Sequence, residues 1–274
     1  MSINSHHLRQ RLAHIAKRTR ELGLVSAAGQ AIQKNIFARA YRRYLLGSFS
    51  LFREDLFLDW VMDGRKSGFY VDIGANHPVR GNNTCRFYRS GGWQGINIEP
   101  TAECFRLLCK MRPRDINLNI GIGTQDGVFT LNVFDDDRLS TFSAKHEAQV
   151  SGRGYLSVER RSVVVRRLSD VLAEHASDRP IDFMSVDTEG RVLDVLMSND
   201  WERFRPGLIC VESISFGAGG AELPEMRQFL EKVGYSWLYF NGTNSFYIDS
   251  RRLNADVTAS NALAVAYLDD CCHR

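Results

Sequence analysis

The chain has 274 residues, 44% apolar and 24% charged, and its 35 basic side chains against 32 acidic ones leave a formal charge of only +3. This is the make-up of a globular protein with one sizeable core and room for an appendage, and it excludes collagen-like, disulfide-scaffolded and wholly disordered chains. No stretch approaches the roughly 20 uncharged apolar residues that span a bilayer, and no signal-peptide shape is present, so a cytoplasmic protein is expected. Cys85, Cys104, Cys109, Cys210, Cys271 and Cys272 fall at irregular spacings without a C-x-x-C pair, which indicates neither a zinc site nor a disulfide framework.

Residues 1–48 carry nine basic side chains against the single acid Glu21, a net of +8 that leaves −5 for the rest. Leu8, Leu12, Ile15 and Leu22, then Ile32, Ile36, Ala40 and Tyr44, recur at helical spacing, so two basic amphipathic helices are expected. Two readings stand side by side. The segment docks on an anionic surface, such as the inner membrane face, a phosphate-bearing carrier or nucleic acid, or it is a helical cap with a solvated basic face.

From Ser48 onward the pattern changes to short apolar runs separated by helical stretches. Strands are predicted over 69–73, 95–98, 116–122, 128–134, 162–165, 181–187, 208–212, 236–240 and 245–248, and helices over 102–111, 168–175, 192–198 and 223–233. Strands alternating with helices imply a mainly parallel, doubly wound α/β sheet. The Asn241-Gly-Thr-Asn244 turn implies an antiparallel hairpin at its end. The domain plan is a basic extension over 1–48, an α/β domain over 49–260 and a tail over 261–274. The longest irregular stretch, 135–159, has the character of a lid or binding loop.

In such a sheet the ligand sits beyond the carboxyl ends of the strands. The first strand ends Asp72-Ile-Gly74-Ala-Asn76-His77, where Gly74 allows close backbone approach. The second ends in Glu99, placed to accept hydrogen bonds from ribose hydroxyls. A dinucleotide fingerprint would need a second glycine where Asn76 stands, so a ribose-bearing cofactor with an amino acid end suits the turn better than NAD.

Three ordered segments, Gly68-Phe-Tyr-Val-Asp-Ile-Gly-Ala-Asn76, Gly95-Ile-Asn-Ile-Glu-Pro100 and Ile181-Asp-Phe-Met-Ser-Val-Asp-Thr-Glu-Gly190, followed by 208–212, resemble the FkbM family of S-adenosylmethionine-dependent methyltransferases. The resemblance spans about residues 49–250 and leaves the basic extension without an inherited role. It implies a class I methyltransferase (Rossmann-like) fold, S-adenosyl-L-methionine as cofactor, and O-methylation of a sugar hydroxyl in a glycolipid, polysaccharide or glycosylated metabolite. By position, Asp72, Gly74 and Asn76 would line the methionine portion, Glu99 the ribose, and Asp126 the adenine edge. Ser185 stands where many members carry Lys, which leaves the nearby carboxylates less neutralised.

Methyl transfer to a hydroxyl needs alignment and a proton acceptor. His77, which titrates near neutrality, and the pair Asp187 and Glu189 are the candidate catalytic groups; the histidine is equally placed to bond the turn backbone. Asn83, Thr84 and His146 are candidates for binding the acceptor, with helix capping the other reading of Asn83 and Thr84. No metal ion is assigned, although Asp187, Glu189 and Glu212 would be the ligands of one. The alternatives are an RNA methyltransferase that uses the +8 segment, for which no RNA-binding signature is found, and a non-catalytic cofactor-binding module held at a membrane. The sequence fixes no oligomeric state.

Overall fold

The computed structural model describes residues 47–177, 179–214 and 223–252. The helices expected in the basic extension and the tail with Cys271 and Cys272 lie outside these residues. Ten strands are described: β1 (Ser67–Ile73), β2 (Gly92–Ile98), β3 (Ile116–Leu118), β4 (Gly121–Ile122), β5 (Gly127–Phe134), β6 (Ser157–Arg166), β7 (Phe183–Val186), β8 (Leu208–Glu212), β9 (Tyr235–Phe240) and β10 (Asn244–Asp249). The helices are α1 (Glu54–Val61), α2 (Cys85–Ser90), α3 (Ala102–Met111), α4 (Ala144–Gly152), α5 (Leu168–His175), α6 (Val192–Met197) and α7 (Pro224–Lys232).

Seven strands form one sheet in the order β3-β2-β1-β7-β8-β10-β9. Its first five strands run parallel, and β10 pairs antiparallel with both β8 and β9. This is the doubly wound sheet with a terminal hairpin that the alternating pattern predicts. Both faces are buried, because the parallel strands are almost wholly apolar. Val71, Ile73, Ile96, Met184 and Val211 face Val171 and Leu172 of α5, Val195 of α6 and Leu230 of α7. Tyr70, Phe183, Cys210 and Phe246 face Phe57 and Leu58 of α1 and Phe87 of α2, joined by Trp93. Trp93 and Trp201 are buried packing residues whose indole N–H groups donate to the carbonyls of Arg65 and Leu196. No helix among the described residues is long and apolar enough to cross a membrane.

The middle of the chain departs from the sequence expectation. The run 116–122, predicted as one strand, splits: β3 joins the large sheet, whereas β4 joins a second sheet of order β4-β6-β5. At the break Asn119 Nδ2 donates to the carbonyls of Glu99 and Pro100, at 2.8 and 3.0 Å. The absent side chain of Gly121 leaves room for Phe142, 2.9 Å from where a Cβ would lie. The stretch predicted as irregular contains α4, started by Ser143, whose Oγ accepts the amide of His146 at 3.2 Å. Its apolar periodicity is too weak for the helix to show in the sequence.

One buried ion pair holds the first two crossovers. Arg112, at the end of α3 and 1% exposed, donates through Nε to Asp115 at 2.8 Å. Its other nitrogens reach Asn82 Oδ1, the Tyr70 hydroxyl and Thr84 Oγ1 at 3.0, 2.6 and 2.8 Å. Asp72 completes the network by accepting from Thr84 Oγ1 at 2.7 Å and Asn82 Nδ2 at 3.2 Å. Burial raises the pKa of Asp72 above the usual carboxylate value, against the pull of Arg112. Arg112→Leu strips the counter-charge from Asp115 and removes one hydrogen bond each from Tyr70, Asn82 and Thr84. It should therefore cost about 3–5 kcal/mol of stability, read by urea unfolding followed through tryptophan fluorescence.

Candidate active site

The strand register decides which residues meet. Ile73 lies between Ile98 and Val186, and Val186 is paired with Val211. Gly74, Glu99, Asp187 and Glu212, each one residue further, therefore emerge side by side at the carboxyl edge. Strand order reverses here between β1 and β7, which is where open α/β sheets bind their ligands.

An open crevice of about 890 Å³, its mouth included, lies over this edge. One wall is apolar, made of Ile98, Pro100, Ile120 and Ile122 against Leu131 and Phe142 from the second sheet and its connection. Gly74, Asn76, Glu99, Asp187, Thr188 and Glu189 line it along the strand ends. Glu99 is 3% exposed, and the turns around it fix its carboxylate. Oε2 accepts the Asn76 amide at 2.7 Å, and Oε1 accepts the amide and hydroxyl of Thr101 at 2.6 and 2.5 Å. Asn76 takes left-handed backbone (φ 46°) to present that amide. Gly74 (φ 79°) is required first by the fold, since a Cβ there would collide with the Asp187 carbonyl.

The acidic wall is crowded. Donor atoms of Asp187, Glu189 and Glu212 lie within 4.8 Å of one another, a spacing that a hard divalent ion or a shared proton would satisfy. Asp187 is exposed to the crevice, with the carboxylates of Glu189 and Glu212 beside it. Loss of solvent, then the charges of Glu189, Glu54 and Asp72, push it up to about 8. Glu212 is likewise raised, by burial and by Asp187 beside it, so the two titrate as a pair. Glu189 has left-handed backbone (φ 44°), and its carbonyl accepts Thr141 Oγ1 at 2.7 Å. Its Oε2 lies 3.2 Å from Nε2 of His146, which is buried on α4. Gly190 makes room for that imidazole, 3.0 Å from where a Cβ would stand.

Of the residues singled out from sequence, Gly74, Asn76, Glu99, Asp187 and Glu189 share the crevice, and His146 supports Glu189 from behind. Others take different tasks. Asp72 points to the α1–α2 face and binds Thr84, whose side chain is fully buried, so neither reaches the crevice. Asn83 donates to Ser185 Oγ at 3.1 Å. His77 lies outside the crevice lining, and its Nδ1 accepts the amides of Val79 and Arg80 at 3.1 Å each, the turn-bonded alternative to a base. Asp126 also lies outside the lining, accepting the Arg167 amide at 2.9 Å, because β4 diverts the chain into the second sheet before reaching it. Arg80, Arg138 and Arg191 line the crevice and were not singled out, since nothing in their local sequence separates them from other surface arginines.

Fold and crevice together define an α/β methyltransferase domain of class I topology. The methyltransferase FkbM domain matches residues 72–237, and the chain belongs to that family. Among solved structures it is similar to methyltransferase FkbM from Methylobacillus flagellatus KT (14% identity, TM-score 0.43), over 67% of this chain and 44% of that one. It thus spans less than half the length of that relative. It is also similar to a TehB-like SAM-dependent methyltransferase from Corynebacterium glutamicum (12%, TM-score 0.38, 80% of this chain and 99% of that one). A third likeness is to a precorrin-6y C5,15-methyltransferase from Geobacter metallireducens GS-15 (12%, TM-score 0.37, 71% and 86%). No curated protein matches.

The raised Asp187 carboxyl makes a stability prediction. The native state keeps a proton that the unfolded chain has released, so stability falls as pH rises from the ordinary carboxylate range through about 8. Asp187→Asn should flatten that fall and unfold at higher urea concentration than the wild type at pH 8.5, as measured by denaturation curves across pH.

Proposed function

We propose that the protein is an S-adenosyl-L-methionine-dependent O-methyltransferase acting on a sugar hydroxyl of a glycolipid, polysaccharide or glycosylated metabolite. The observation that carries this reading is the crevice itself, with a fixed carboxylate at one end and Asp187 beside Glu189 at the other. The residues present fit the donor. The slot between Ile98, Ile120 and Ile122 on one side and Leu131 and Phe142 on the other suits a purine ring, and Glu99 suits ribose hydroxyls. When bound, the donor supplies an electrophilic methyl group on a sulfonium.

The chain's own residues supply the rest. Asn76 and Thr101 hold Glu99 in one orientation, so no ordering cost falls on that side chain during binding. Asp187, raised towards neutrality, accepts the proton of the acceptor hydroxyl, since a base near the working pH combines availability with strength. Glu189, its carbonyl held by Thr141 and its carboxylate beside His146, orients the hydroxyl, and Glu212 shares the proton that Asp187 receives.

The direct test is incubation with methyl-labelled S-adenosylmethionine and glycan or glycolipid extracts. Label in a base-stable methyl ether supports the proposal; label only in base-labile esters, or none, sinks it. Turnover should rise between pH 7 and 9 as Asp187 loses its proton, and Asp187→Asn should abolish that rise while the donor Kd stays within about twofold. Glu99→Gln should instead weaken donor binding by about 1–3 kcal/mol, read by calorimetry.

A further inference from the structure

Three guanidinium side chains from separate parts of the chain converge on the crevice: Arg80 from the β1–α2 turn, Arg138 from the β5–α4 connection and Arg191 at the start of α6. Two have acidic neighbours in sequence. Arg138 pairs with Asp136 at 2.6 Å, and Arg191 with Asp194. Arg80 is exposed, and its side chain makes no hydrogen bond or ion pair among the described residues. The acids of the same crevice do not compensate it: Glu99 is turned into the turn amides, and Asp187 and Glu189 lie against Glu212 and His146.

A neutral sugar needs none of these cations. A guanidinium opening onto a crevice presents a planar fork of donors matched to a carboxylate or phosphate. We infer that the acceptor is an acidic saccharide, its phosphate or carboxylate held by Arg80 with Arg138 and Arg191 beside it. This deepens the proposed function and rests on it. Arg80 draws the acidic group to its side of the crevice, and a hydroxyl of the same sugar then faces the Asp187 wall. The methionine carboxylate of the donor offers the same chemistry and is the competing source of the anion.

Calorimetry on the full chain separates them, with glucose 1-phosphate, glucuronic acid and glucose as probes, each titrated with and without saturating S-adenosylhomocysteine. The acidic sugars should bind at least about tenfold more tightly than glucose, in keeping with a charge-assisted pair. Arg80→Gln should erase that preference, Arg80→Lys should restore most of it, and the S-adenosylhomocysteine Kd should stay within about twofold in both. The inference is overturned if acidic and neutral sugars bind alike, if neither acidic sugar binds, or if the preference survives Arg80→Gln. A tenfold loss of S-adenosylhomocysteine affinity in Arg80→Gln also overturns it, by assigning the cation to the donor. Failure of the wild type to bind S-adenosylhomocysteine would instead remove the donor reading, while the comparison of sugars without it stands.

Discussion

The buried guanidinium of Arg112 is the constraint on which the crevice depends. It is fully enclosed, and a charge so placed is tolerable only when every donor is matched. Here the match is made by four groups from three places in the chain: Tyr70 on β1, Asn82 and Thr84 before α2, and Asp115 before β3. Asp115 extends the network along the strands by accepting from the Gly95 amide at 2.9 Å and from Asn97 Nδ2 at 2.9 Å. The turn that runs from Gly74 to Thr84 and lines the crevice is thus tied to two strands and one helix.

The acidic wall follows the opposite logic. Asp187, Glu189 and Glu212 are brought together by register and not by attraction, and loss of solvent, with the neighbouring acidic charges added to it, raises the proton affinity of Asp187 and Glu212. Ser185, buried two residues upstream, offers Asn83 a hydroxyl and supplies no positive charge. The crowding is sustained because the β7 turn is held elsewhere. Thr141 binds the Glu189 carbonyl, and His146 lies against its carboxylate, both contributed by the connection between β5 and β6 of the second sheet. That segment therefore does more than line the crevice, since it fixes the backbone and carboxylate of Glu189.

Much of this was legible in the sequence. The alternation of apolar runs and helices gave the parallel sheet, the Asn-Gly turn gave the hairpin, and the strand ends at Gly74, Glu99 and Asp187 pointed to one edge, because the end of a parallel strand is a position that chain order alone fixes. Asp72 was misplaced for the same reason in reverse: one residue short of the strand end, it faces the other side of the pleat and serves the Arg112 network. His77 and Asp126 carry plausible chemistry, but local backbone amides claim their acceptor atoms. Such bonds depend on turn geometry that residue type does not encode.

The sequence by itself determined the fold class, the family and the strand tips that bear the carboxylates, since each rests on local periodicity and spacing along the chain. Only the tertiary structure decided that β4 leaves the main sheet, that α4 delivers His146 to Glu189, and that Arg80, Arg138 and Arg191 share one opening. The physical reason is separation in the chain. His146 and Glu189 are 43 residues apart in number, and no propensity or period links them until the second sheet folds over the first.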